Sequence, residues 1–114
     1  MSKESTGASI LEYSFEQDLS VAVLDVTTGF GASFKNLSVT LKVSENITET
    51  ITVTLDDALG SAKDAVLKTG TLVAQQDFYF NSDKVYNAGD EVKIYCTNAN
   101  VTGTVSGKVT VVKA

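Results

Sequence analysis

The chain has 114 residues, a length that gives one domain around one hydrophobic core. It lacks histidine, arginine, proline and tryptophan and has one cysteine, which excludes imidazole-based nucleophile systems, imidazole metal ligands, an intrachain disulfide and guanidinium forks for phosphate or guanine. A net charge of −5 opposes binding to nucleic acid or an anionic membrane, and 43% hydrophobic residues is too many for a disordered chain.

Residues 1–9 read as a flexible polar arm that takes fixed structure only when a partner holds it. Lys3 is followed by no apolar stretch, so the start is not read as a secretory signal, and the protein is expected either to stay in the cytoplasm of the cell that makes it or to leave by lysis or within an assembly. Residues 10–114 read as a single β domain. Val, Thr and Ile supply 33 residues, and such β-branched side chains suit a pleated, half-buried surface.

The first predicted strand, Leu19 to Val26, is apolar on both parities apart from Ser20 and Asp25, the pattern of a central strand. After a turn at Thr28-Gly-Phe-Gly31, Leu37, Val39, Leu41 and Val43 alternate with Ser38, Thr40 and Lys42. Ile51, Val53 and Leu55 against Thr50, Thr52 and Thr54 repeat the period. Between 57 and 69 two readings stay open. One is a loop leading into a short strand at Val66 to Thr69; the other is a short helix with Leu59, Ala62 and Val66 on one face, weakened by Gly60.

Thr71 to Phe80 reads as one strand carrying Leu72, Ala74, Phe78 and Phe80 on a common face. After the Asn87-Ala-Gly-Asp90 turn, Val92, Ile94 and Cys96 point inward, and a long final strand from Val101 to Val111 places Gly103 and Gly107 at inward positions. The expected fold is an antiparallel β-sandwich or small jelly roll of seven to eight strands.

Candidate chemistry is sparse. Carboxylates near turns could form a glycosidase pair, and Asp56, Asp57 and Asp64 could share a calcium ion, but acidic residues at turns ordinarily supply local hydrogen bonds, and no EF-hand spacing is present. Gly29-Phe-Gly31 precedes a strand where a dinucleotide fingerprint needs a helix. Cys96 reads as a buried apolar residue, and the sequons at Asn36, Asn46 and Asn100 carry no function. Phe30 and Phe34, set among glycines and small residues, are candidates for partner contact, with core packing as the alternative; Tyr79 and Tyr86 are further candidates, and Tyr95 joins them as a possible sugar-stacking ring. No catalytic residue, cofactor or metal is expected.

Ile51-Thr-Val-Thr-Leu-Asp-Asp-Ala58, Asp64-Ala-Val-Leu-Lys-Thr69, Val85-Tyr-Asn-Ala-Gly-Asp-Glu-Val-Lys-Ile94 and Val105-Ser-Gly-Lys-Val-Thr-Val111 resemble small β-sandwich virion structural proteins of tailed bacteriophages. The most recognisable element is Ala88-Gly89-Asp90 entering a strand. The resemblance implies a non-enzymatic virion protein, a capsid decoration protein or a tail or fibre component, with no catalytic residue to carry over. The expected partners are capsid or other virion proteins and further copies of the chain, with neither nucleic acid nor membrane. The alternative is a carbohydrate-binding or adhesion module.

Overall fold

Alternating apolar side chains leave each strand with one face that must be covered, and the chain solves this by stacking two antiparallel sheets. The computed structural model describes residues 4–6, 10–60, 64–74 and 77–114. Among these, the strands are β1 (Glu4–Thr6), β2 (Ile10–Asp18), β3 (Leu24–Gly29), β4 (Phe34–Val43), β5 (Ile47–Asp56), β6 (Ala65–Ala74), β7 (Asp77–Ser82), β8 (Glu91–Cys96) and β9 (Thr104–Lys113). One sheet has the order β1-β2-β9-β4-β7 and the other β3-β8-β5-β6. Without the three-residue β1, each sheet has four strands, and the chain repeatedly crosses from one to the other: an eight-stranded jelly roll.

The core lies between the sheets. Leu37, Val39, Leu41 and Val43 of β4 and Val105, Val109 and Val111 of β9 face Ile47, Ile51 and Val53 of β5 and Val92, Ile94 and Cys96 of β8, all buried. The alternation read from these four segments therefore carries directly into the packing.

Several boundaries differ from expectation. β2, which the sequence reading passed over, directs Leu11, Tyr13 and Phe15 inward and pairs with β9 along nine residues. Leu19 to Val23 is a corner rather than the start of a central strand: Leu19 is fully buried while Val21 stands out in solvent, and β3 lies at a sheet edge. Asp18 shapes this corner by accepting from the N–H and hydroxyl of Ser20 at 2.9 and 2.7 Å. Thr71 to Phe80 is divided between β6 and β7, which belong to different sheets. Between 57 and 69, Asp57–Gly60 forms a turn and β6 begins at Ala65, so the described part contains no helix; 61–63 lie outside the described residues. Val101 and Gly103 precede β9 in a turn, both at positive φ. Within the expected N-terminal arm, Glu4–Thr6 pairs with Ile10 to Glu12, while 1–3 and 7–9 are outside the described residues.

Two positions show why particular residues are required. β4 carries one extra residue between Lys35 and Ser38 relative to β9, and Asn36 takes up this bulge at φ 53°, a conformation Asn tolerates better than most residues. At Gly107 the central strands approach so closely that a Cβ would overlap the Thr40 carbonyl oxygen, lie 2.9 Å from the Leu41 Cα and meet the Phe15 ring at 3.0 Å. Gly107→Ala is therefore expected to cost about 3 kcal/mol through overpacking, read as a lower midpoint of urea unfolding; an unchanged midpoint would show that the approach is not tight.

Candidate functional site

Among the described residues two carboxylates are buried, at opposite ends of the β5–β8 pair. Glu49, at an inward position of β5 between Ile47 and Ile51, is 1% exposed. It accepts from the Thr97 hydroxyl at 2.5 Å and the Ala99 N–H at 3.0 Å through Oε1, and from the Asn100 N–H at 2.9 Å through Oε2. The chain leaving β8 is thus held by a carboxylate of β5. Asn100 and Thr97 complete the connection by accepting the Thr48 and Thr50 N–H groups through Oδ1 and Oγ1.

Asp90, just before β8, does the converse. Its Oδ1 accepts from the Ala58 N–H, in the chain leaving β5, and its Oδ2 from the Asn87 N–H, both at 2.9 Å. Gly89, at φ 92°, allows this turn to close, and a Cβ there would stand 3.1 Å from the Ala58 Cβ. Ala88-Gly89-Asp90 is thus a structural turn whose aspartate ties two connections together. Each oxygen of the two carboxylates accepts at least one N–H or O–H donor, which offsets the cost of burying them.

The acidic residues weighed for calcium also act locally. Asp64 Oδ1 accepts from the Asp57 N–H and Asp57 Oδ1 from the Leu59 N–H, each at 2.8 Å. Among the described residues no group of three or more carboxylates and thiols is placed to hold a metal ion. Cys96 is buried and free; desolvation, followed by the nearby Glu49 charge, pushes its thiol up from 9.0 to about 12.

Three of the four aromatic candidates are interior. Phe30, Phe34 and Tyr86 are buried, with the Phe30 and Phe34 rings edge to face and the Phe34 and Tyr86 rings stacked, each pair 5.2 Å between centroids. A backbone bridge between Phe34 and Tyr86 holds the second pair, and the Tyr86 hydroxyl lies 2.9 Å from Ser82 Oγ. The glycines around Phe30 therefore let the chain fold its rings inward. Tyr79 is different: it is 53% exposed, on β7. Tyr95 is half-buried beside a separate hollow of about 400 Å³ that also involves Asp56, Asp64 and Lys93.

Tyr79 borders a trough of about 700 Å³ across the larger sheet, built from residues 14–16 of β2, 106–108 of β9, 40–42 of β4 and 77–79 of β7. The register aligns Phe15, Gly107, Leu41 and Phe78 in the middle row; its three side chains are buried in the core. The flanking rows project from the opposite, outer face. One contains Ser14, Lys108, Thr40 and Tyr79, the other Glu16, Ser106, Lys42 and Asp77. Lys68 Nζ reaches across from β6 to donate to the Tyr79 carbonyl at 2.6 Å and lies 5.0 Å from the Phe78 ring centroid, tying that side of the sandwich together.

Glu49→Ala is expected to destabilise the protein by about 3 kcal/mol in chemical denaturation, because three donors lose their acceptor; a change near zero would show that water replaces the carboxylate freely. Cys96 gives a pH dependence. With its folded value above the unfolded one, the thiol's contribution is complete below pH 9 and is lost as pH rises toward 12. Cys96→Val is expected to flatten the alkaline loss of stability across that window, and an identical alkaline profile would contradict this.

No protein-family model matches the chain. No curated protein matches it. The crystal structure of PirA is similar in fold, with a TM-score of 0.52 at 10% sequence identity, covering 97% of this chain and 98% of that chain.

Proposed function

We propose that this chain is a non-enzymatic jelly-roll protein that works by surface contact, as a virion structural protein of the capsid-decoration type. The observation that supports the non-enzymatic part is how its buried carboxylates, the paired carboxylates of Asp57 and Asp64 and its thiol are used. Glu49, Asp90, Asp57 and Asp64 accept backbone N–H groups, and the Cys96 thiol is buried and held protonated. Groups committed in this way supply loop geometry rather than acid, base or nucleophile.

The decoration reading rests on the resemblance of the β5–β6, β8 and β9 segments to phage virion proteins, together with a double-sheet architecture that also serves capsid and lectin domains. That second support is an analogy of fold. A decoration protein binds the assembled lattice and favours it by mass action. Mixed with undecorated capsids of a tailed phage from the same source, the purified protein is expected to co-sediment and raise their heat resistance. Absence of both effects would overturn the reading.

A further inference from the structure

We infer that the outer-face trough of the larger sheet is a binding site for a short neutral oligosaccharide. This inference is independent of the decoration reading and rests on the trough's shape, charge and hydrogen-bonding groups. The flanking rows are two residues apart along each strand, about 7 Å from row to row, centre to centre, and the trough runs over four strands, about 14 Å. The volume of about 700 Å³ suits a short oligosaccharide lying along the rows, over the stretch where Phe15, Leu41 and Phe78 turn inward.

Charge selects the ligand class. The chain carries −5 overall, yet the trough walls balance Glu16 and Asp77 against Lys42 and Lys108. Lys42 stands directly opposite Asp77, and Lys108 lies 3.5 Å from Glu12. A charged ligand would meet an equal charge of its own sign. A neutral polyol instead finds acceptors in the carboxylates, donors in the ammonium groups and both in Ser14, Thr40 and Ser106. At the β7 end Tyr79 offers an exposed ring for the apolar face of a sugar, its backbone held by Lys68. An added protein strand fits less well, because it pairs along a sheet edge, whereas the trough crosses the face at right angles to the strands.

The test begins with an array of neutral and charged glycans, followed by amide-shift titration with any neutral oligosaccharide that binds. The expected result is binding of a neutral glycan, with shifts concentrated at 14–16, 40–42, 77–79 and 106–108. Tyr79→Ala and Lys42→Ala, both at exposed positions, are each expected to weaken it about tenfold at unchanged melting temperature, while Tyr95→Ala on the other sheet leaves it intact. Binding of charged glycans alone, binding that survives Tyr79→Ala, shifts confined to the other sheet, or no glycan bound at all would overturn the inference.

Discussion

The β5–β8 pair is clamped at both ends by carboxylates, and the path of the chain around the sandwich depends on that reciprocity. Glu49 of β5 holds the segment leaving β8, and Asp90, at the entry to β8, holds the segment leaving β5. Both segments must turn away from the sheet, which leaves backbone N–H groups without strand partners. A carboxylate accepts two or three such groups and needs no large side chain to do so. The clamp lets connections rich in Asn, Ala and Asp keep defined paths without a large hydrophobic anchor.

This arrangement separates the molecule's polar groups into two sets. The interior carboxylates serve the fold, whereas the charges on the outer face of the larger sheet lie in register rows and remain open to solvent. Gly107 links the two sets. Its missing side chain permits the close approach of β4 and β9 on the core side, and the same stretch forms the middle of the trough on the other. Packing of Phe15 over Gly107 therefore shapes the floor on which the outer rows stand.

The central strands β4, β5, β8 and β9 were the most legible in the sequence, because their apolar residues alternate along strands covered on one face by the other sheet and exposed on the other. Corners were not. Leu19 and Phe30 are buried at places where the chain changes sheets, so their apolar character reports the interior without reporting a strand. The β6–β7 crossing was hidden because apolar residues alternate on both sides of the sheet change. Glu49 drew no attention in a threonine-rich strand; its place on the same parity as Ile47, Ile51 and Val53 was the available signal. Its donors are 48 to 51 residues away in sequence, which no local pattern conveys. The trough was illegible for a similar reason: its rows exist only once the register of four strands is set.

The reciprocal clamp is tested most directly by amide hydrogen exchange at Ala58, Asn87, Ala99 and Asn100. All four residues are solvent-exposed in connections, yet each donates its N–H to Glu49 or Asp90. The account predicts that they exchange as slowly as the interior amides of β5 and β8, through opening of the whole domain. Exchange at the rate of unprotected loop amides would contradict it.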